Sequence, residues 1–449
     1  MSFRLFLFAA SLSIGSTLYG QLVKTVSCIG LTADEKARIT SKISRYYASL
    51  SKLKEANDET FGSDLRSQNG HVLFSWPLKV SSEYDMIPNY YNTTNYWDMD
   101  RVSSGTLDWN CSTKTYNGHN GTDISSWPFW WHMKNKDYVY AAAAASGVVI
   151  DVDVSHLNDN NCTLQSIPAN VVTVMHSDSS ITSYLHLKAN SAFVAEGQLV
   201  SEGQVLAVIG SSGRTSNPHL HFQVADKDGN DIEPYTGANP ATDCNTFNND
   251  SWWKIQKPHF EPRLNRIMTH YGKFSQFGPD GDSRLFCPEF EQVKAKNNFS
   301  AGDSIYLGIF LSDILTNSDT DYEIIRPNGA IWQSGNFSHA GDPGSYAWYT
   351  IAKKLPSNAD PGTWKFRVSF RAETETHYFT VGCTPNYNLT LVSGSYGYIA
   401  GDFIESISPI TGTNKVLLQA GNSIVLKPGF TAGSGTTFKA RIKDCNYSE

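Results

Sequence analysis

Between Val194 and Gly210 the chain repeats one short phrase. Val194 leads to Gly197, Val200 to Gly203, and Leu206 to Gly210, with Gln198 and Gln204 after the first two glycines. Apolar runs this short do not line a helix face, which needs apolar residues at three- and four-residue steps over several turns. They fit short strands joined by tight turns, with glycine where the backbone needs a positive φ. The same texture begins at His71 and continues to near Cys244. Candidate strands fall at 72–74, 138–142, 147–154, 170–175, 183–186, 204–209 and 220–224. No helical period runs through them, so 71–244 is expected to be an all-β domain with long loops.

The flanking regions differ in texture. Thr32-Ala33-Asp34-Glu35 reads as a capping box. Ile39, Ile43, Tyr46, Leu50 and Leu53 follow at alternating four- and three-residue steps. Within 21–70 this predicts one helix to about Glu55, packed against the next domain. An inhibitory segment that covers an active site is the alternative. Residues 245–286, with Trp252, Trp253 and Pro258, are expected to be a connector. Over 287–382, Trp364, Phe366, Val368 and Phe370 alternate with Lys365, Arg367 and Ser369, the pattern of a half-buried antiparallel strand. Pro327-Asn328-Gly329 supplies a hairpin-type turn. These signals predict an immunoglobulin-like β-sandwich. Over 383–449, Ile404, Ile407, Val416, Leu418, Ile424, Leu426, Phe430 and Phe438 sit in very short runs broken by Gly412, Gly421, Gly429, Gly433 and Gly435. That predicts a small stacked, solenoid-like β-module. It resembles the C-terminal stack modules of secreted Bacteroidetes proteins. The fold class is thus mainly β, with one N-terminal helix.

Arg4 followed by an apolar run over 5–14 predicts a secretory signal peptide over 1–20, cut before Gln21. This places the protein outside the cytoplasm, secreted, periplasmic or at the cell surface. No segment reaches membrane-spanning length. The net charge of −7 gives no basic footprint for nucleic acid. Seven cysteines with no C-x-x-C spacing predict disulfides rather than a zinc ribbon. Sequence proximity pairs Cys111 with Cys162, Cys244 with Cys287 and Cys383 with Cys445, leaving Cys28 over.

Four pieces of the 71–244 region carry candidate chemistry. They are Tyr116-Asn117-Gly118-His119-Asn120-Gly121-Thr122-Asp123, then Ser183-Tyr184-Leu185-His186-Leu187, the glycine-punctuated strands, and Ser211-Ser212-Gly213 leading into Asn217-Pro218-His219-Leu220-His221-Phe222. On a strand His219 and His221 share a face. A catalytic zinc takes three His or carboxylate ligands and keeps a fourth position open. His119, Asp123 and His221 would supply one such site, with His186 and His219 left beside the water. The other eight histidines lack partners at ligand spacing and read as packed or surface residues, with His176 at a strand end near the cleft.

The order, spacing and flanks of these pieces resemble the lysostaphin/LytM-type zinc endopeptidases that cut bacterial cell-wall peptides. The resemblance spans about 71–235. It implies a small antiparallel β-sheet with one catalytic zinc in a groove, His119, Asp123 and His221 as zinc ligands, and His186 and His219 as catalytic histidines. Asn217, where Gly is frequent, and Gln223, where an acidic residue is frequent, depart from the pattern. No H-E-x-x-H helix is present to lend a glutamate base. Bound zinc would polarise the scissile carbonyl and lower the pKa of its water toward about 7, with His186 or His219 orienting or deprotonating that water. The aromatic stretch Ser126-Trp127-Pro128-Phe129-Trp130-Trp131 lines the cleft or else covers the sheet.

These features predict a secreted zinc endopeptidase that cuts peptide bonds in peptidoglycan cross-links. One alternative is a secreted protease of Gly-rich proteins such as elastin. Another is a non-catalytic wall-binding or amidase-activating scaffold, against which the complete set of five residues argues.

Overall fold

The computed structural model describes residues 17–23, 30–56, 70–81, 89–100, 105–237, 250–274, 286–339, 344–382, 386–390 and 396–443. The chain divides into two compact units. One comprises residues 24–261 and 276–291; the other comprises 1–23, 262–275 and 292–449. Both are built mainly of strands.

In chain order, β1 (Thr17–Val23) and α1 (Ala33–Ala56) come first, then β2 (Leu78–Val80), β3 (Tyr91–Asn95) and β4 (Thr122–Ser126). A short helix α2 (Trp130–Asn135) precedes β5 (Val139–Ala142), β6 (Gly147–Asp153), β7 (Val171–His176) and β8 (Ile181–Leu185). β9 (Leu199–Val200), β10 (Val205–Val208), β11 (His219–Ala225) and β12 (Asp231–Ile232) follow. The large sheet of the first unit runs β3-β4-β11-β8-β7-β6-β9, with β12 paired to β11, and all these pairings are antiparallel. A smaller sheet runs β10-β5-β2.

The large sheet has two unlike faces. Phe222 lies opposite Tyr184, and Tyr184 opposite Val172. All three are fully buried, and Phe222 packs on Phe74 and Trp253. On the other face, His221 lies opposite Asp123 on one side and Leu185 on the other. Farther along this face α1 packs down. Ile39, 5% exposed, meets Val148, Ile150, Met175 and Ile181, with Leu31, Ile43 and Tyr46 beside it. Burying one such Ile contributes roughly 1.5–3 kcal/mol.

The expected capping box forms. The Thr32 amide donates to Glu35 Oε2 at 2.7 Å, and the Glu35 amide to Thr32 Oγ1 at 3.3 Å. Polar contacts tie the helix to the sheet. Arg38 and Lys42 reach the fully buried Asp151 at 2.7 and 2.6 Å, and Lys36 reaches Asp231 at 2.7 Å. Burial pushes the Asp151 carboxyl up, and Lys42 and Arg38 act against that. The side chains of Leu50 and Leu53 lie outside those described.

Strands β3 and β4 and helix α2 were not among the sequence expectations. Tyr91-Asn92-Thr93-Thr94-Asn95 and Thr122-Asp123-Ile124-Ser125-Ser126 carry too few apolar residues to show a two-residue alternation, yet every residue in both is buried. The aromatic stretch after Asp123 covers the sheet. Trp127, Phe129, Trp130 and Trp131 are at most 2% exposed, so they do not line an open cleft. His176 turns to the face opposite His221, with its ring on Phe74 and its nitrogens on Ser146 O and Thr182 Oγ1.

The disulfide expectation needs correction. Cys162 pairs with Cys287, 125 residues away, so neither pairs with its nearest neighbour in sequence. Spatial proximity in a long-looped β-domain does not follow sequence proximity. Cys111 is disulfide-bonded too. Cys28, Cys244, Cys383 and Cys445 lie outside the described residues.

The second unit holds β13 (Arg263–His270), β14 (Asn298–Phe299), β15 (Ser304–Ile314), β16 (Asp319–Ile325), β17 (Ile331–Ser338), β18 (Gly344–Lys354), β19 (Gly362–Phe370) and β20 (Glu373–Val381). Two sheets, β1-β18-β15-β13 and β14-β20-β19-β16-β17, share one core that includes Leu307, Ile309, Trp364, Phe366 and Val368. This is a β-sandwich, and β19 alternates buried and outward residues as its sequence predicts. Strand β13 arises from the stretch 245–286 that was expected to be a connector. Thr17–Val23, at the end of the expected signal peptide, pairs with β18.

The last strands are β21 (Asn386–Leu389), β22 (Tyr396–Ala400), β23 (Phe403–Ser406), β24 (Lys415–Ala420), β25 (Ser423–Leu426) and β26 (Thr437–Ile442). They stack in two parallel sheets, β21-β23-β25 and β22-β24-β26, around Ile404, Val416 and Leu418. Each strand pairs with the next but one in sequence, which is how a solenoid builds. Ile407 and Leu426, expected in this core, are more than 40% exposed.

Candidate metal centre

The site is assembled by the pairing of β4 with β11. Asp123 and His221 are partners in that ladder, so both side chains leave the same face. His119 arrives from the loop four residues before Asp123. Gly121 between them is needed for space, because a Cβ there would stand 2.5 Å from His221 Nε2 and 2.8 Å from the Phe222 carbonyl. His186 follows β8 in the left-handed region, φ 63°. For a non-glycine residue this is an uncommon conformation that must be held by its surroundings. The Ser212 carbonyl does so at 2.6 Å from Nδ1.

Three donor atoms converge. His119 Nε2 stands 3.1 Å from Asp123 Oδ1 and 3.2 Å from His221 Nδ1, and His221 Nδ1 stands 2.9 Å from Asp123 Oδ1. Tetrahedral ligands at about 2.0–2.1 Å from a zinc ion stand about 3.3 Å apart. The triangle therefore needs only a few tenths of an ångström of opening to accept one. Among the described residues this is the one cluster of three or more His, Cys, Asp or Glu able to hold a metal. His119 Nδ1 lies 2.6 Å from the Tyr96 carbonyl. A carbonyl only accepts, so the Nδ1 proton is fixed there and Nε2 presents its lone pair to the cluster.

His186 and His219 flank the triangle, with ring centroids 4.6 Å apart. His219 Nδ1 lies 2.8 Å from the Asn217 carbonyl, and its Nε2 is 3.5 Å from Asp123 Oδ1. By the same reasoning both histidines turn an unprotonated Nε2 inward when neutral. His186 Nε2 is buried and has no hydrogen-bond partner among the described residues. Such an atom costs stability unless something else occupies the space before it.

The electrostatics suit a cationic guest. Burial raises the Asp123 carboxyl, but the His119 and His219 imidazoles outweigh this and hold it well below the usual carboxylate range. Burial, then the nearby His219 and His221, holds the His186 imidazole well below the usual histidine range. His221 is lowered as well, chiefly by burial, with Asp123 acting against it. The centre thus presents Asp123 as a carboxylate and His221 as a neutral imidazole, the protonation states a divalent metal needs of these two ligands.

All five residues are at most 1% exposed. One reason is the segment that leads into α1. A Cβ on Gly30 would fall 2.1 Å from Asn120 Oδ1 and 2.7 Å from His221 Nε2, so the backbone of Gly30 lies against the centre. The Leu31 amide approaches Gln223 Oε1 at 3.4 Å, and the Leu31 side chain packs on Ala169, Val171 and Leu185. Gln223 also donates to Asp231 at 2.8 Å. The departure from the family pattern at 223 thus lies under the N-terminal segment.

The structure brings together all five residues singled out in the sequence. It adds Asn95, Tyr96 and Gly30, which sequence reasoning passed over, and a role for Ser212, which the sequence marked only as part of a candidate stretch. Asn95 and Tyr96 lie in or beside a polar strand with no periodicity, and Ser212 acts through a backbone carbonyl, which leaves no trace in a sequence.

A buried cluster of two imidazoles and a carboxylate, with two further imidazoles beside it, belongs to the class of candidate hydrolytic metal centres. Residues 117–234 match the model of Peptidase family M23, and the chain carries a peptidase M23 domain there. The match holds all five site residues and starts well after residue 71, where the resemblance was expected to begin. The chain is 35% identical over 81 residues to the peptidoglycan DD-endopeptidase ShyC of Vibrio cholerae, covering 18% of this chain and 16% of that protein. It is 32% identical over 112 residues to ShyA of the same organism, also a peptidoglycan DD-endopeptidase, covering 25% and 21%. The chain thus spans about a fifth or less of these relatives' lengths. Among solved structures it is similar to the catalytic domain of the antimicrobial peptidase lysostaphin from Staphylococcus simulans, with 19% identity, 35% of this chain and 96% of that one covered, and a TM-score of 0.22.

Proposed function

We propose that this chain is a zinc-dependent endopeptidase, acting outside the cytoplasm, that hydrolyses peptide bonds in peptidoglycan cross-links. The observation that carries the reading is the triangle His119 Nε2, Asp123 Oδ1 and His221 Nδ1 with His186 and His219 beside it. The names of the relatives support peptidoglycan as the substrate.

His119, Asp123 and His221 would hold the ion. When bound, zinc supplies Lewis acidity and an activated water. The chain's own groups then do the rest. The Tyr96 carbonyl keeps His119 in the tautomer that offers Nε2. The Ser212 and Asn217 carbonyls fix His186 and His219 with Nδ1 protonated. Each Nε2, unprotonated, can take a proton from an attacking water and, once protonated, donate to the leaving amine or the developing oxyanion.

The Gly30–Leu31 stretch that leads into α1 lies over this centre, and the substrate needs that space. In this reading the segment is an inhibitory cover, and turnover requires it to move.

Metal analysis of the purified chain, paired with digestion of purified sacculi with and without chelator, tests the function. Mass spectrometry of released muropeptides identifies the bond. One equivalent of zinc and chelator-sensitive release of cleaved cross-links are expected. Release from elastin but not from sacculi would establish the Gly-rich protease instead, and wall binding without any cleavage would establish the scaffold.

A further inference from the structure

We propose that Asn95 is a positioning residue of the metal centre, acting through Asp123. The inference rests on the metal-site reading above and extends it to a strand that precedes the matched family segment at 117–234.

The two oxygens of Asp123 have separate partners. Oδ1 faces His119 Nε2 and His221 Nδ1, at 3.1 and 2.9 Å. Oδ2 accepts from the Asn95 side-chain amide at 3.0 Å. A carboxylate held at one oxygen by a directed N–H keeps its plane fixed and presents the other oxygen at a set angle. Asparagine suits the task because it donates without bringing a charge that would compete with the metal. Asn95 is only 3% exposed, so the contact is shielded from bulk solvent.

The backbone is irregular where this contact is made. Strands β3 and β4 pair Thr93 with Ile124 and then skip a residue, so that Asn95 rather than Thr94 stands opposite Asp123. A bulge of this kind redirects one side chain. Here it turns Asn95 to the face that carries Asp123 and His221. Thr94 meanwhile donates to the Asp123 carbonyl at 3.3 Å. The next residues extend the support to a second ligand. The Tyr96 carbonyl holds His119 Nδ1, and the Asp98 amide donates to the His119 carbonyl at 2.9 Å. One short polar run therefore orients both Asp123 and His119.

Asn95 Oδ1 is buried and has no hydrogen-bond partner among the described residues. The contact to Asp123 is thus the side chain's one described polar function.

The test compares the full-length parent, Asn95→Leu and Asn95→Ala. Zinc affinity is measured by competition with a chromogenic chelator, and the metal-free proteins are melted in parallel. Leu keeps the shape and removes the donor. Expected is a 10- to 100-fold weaker zinc affinity, with metal-free melting within a few degrees of the parent. Cobalt-loaded Asn95→Leu should also show an altered visible spectrum, since the carboxylate is free to turn. Zinc affinity within twofold of the parent in a folded variant overturns the inference. If Asn95→Leu does not fold, Asn95→Ala, which leaves room for water, is judged by the same criterion. A parent that binds no zinc overturns the metal-site reading and this inference together, whereas a parent that binds zinc beside an unaffected variant overturns this inference alone.

Discussion

Asp123 and His221 stand directly opposite each other on β4 and β11, with Oδ1 2.9 Å from Nδ1. They are close because the ladder register makes them partners, not because a flexible loop brings them together. A one-residue slip would send one of them to the apolar face. Strand pairing thus fixes two of the three candidate ligands before any metal arrives.

Asp123→Ala and His119→Ala should each abolish both zinc binding and hydrolysis. Two ligands leave a tetrahedral ion too exposed to hold. Metal content by mass spectrometry and sacculus digestion read the two effects separately. Full zinc occupancy in either variant would remove that residue from the ligand set.

His186→Ala should keep the metal and lose rate by about 10²–10⁴-fold, the usual range for a positioned acid–base group. Its Nδ1 is tied to Ser212 and its Nε2 lies beside the triangle rather than in it. An empty metal site in this variant would contradict the assignment.

Gly30→Val should raise activity. The side chain cannot fit against Asn120 and His221, and overpacking of this kind costs about 1–3 kcal/mol. With the covered form dominant, the open population rises by roughly 5- to 150-fold. Initial rates on sacculi measure this. Unchanged rates, with the variant folded, would show that the segment does not limit access.

In the sandwich, His270 is fully buried and neither ring nitrogen has a hydrogen-bond partner among the described residues. Burial, then His377, Arg266 and Lys294, lowers its pKa to about 3. The unfolded chain therefore binds a proton near pH 6.5 that the folded chain refuses until about pH 3. His270 costs no stability above pH 6.5. Between these limits stability falls as pH falls, by about 1.4 kcal/mol per pH unit. His270→Leu should flatten that slope in melts taken from pH 7 to pH 4. An unchanged slope would refute the assignment.

Much of this protein was legible in its residues, for a physical reason. Short apolar runs punctuated by glycine allow few structures other than short strands. The alternation at Trp364–Phe370 fixes a half-buried strand, and Thr32 with Glu35 starts a helix. His119, Asp123, His186, His219 and His221 stood out because imidazoles and carboxylates are costly in a core unless they have a partner or a function. Polar strands such as Tyr91–Asn95 carry no such pattern. Nor could sequence locate the partner of Cys162, show that the tryptophans after Asp123 cover the sheet, or place Gly30 against His221.

Which groups the centre has to work with is written in the residues themselves, since side-chain chemistry is local and travels with the residue. Their arrangement comes from the folded chain. Strand register set Asp123 opposite His221, a left-handed turn at His186 aimed its ring, a bulge gave Asn95 its contact with Asp123, and a distant N-terminal segment lay across the site. Each of these depends on contacts between residues far apart in the chain, which no local pattern encodes.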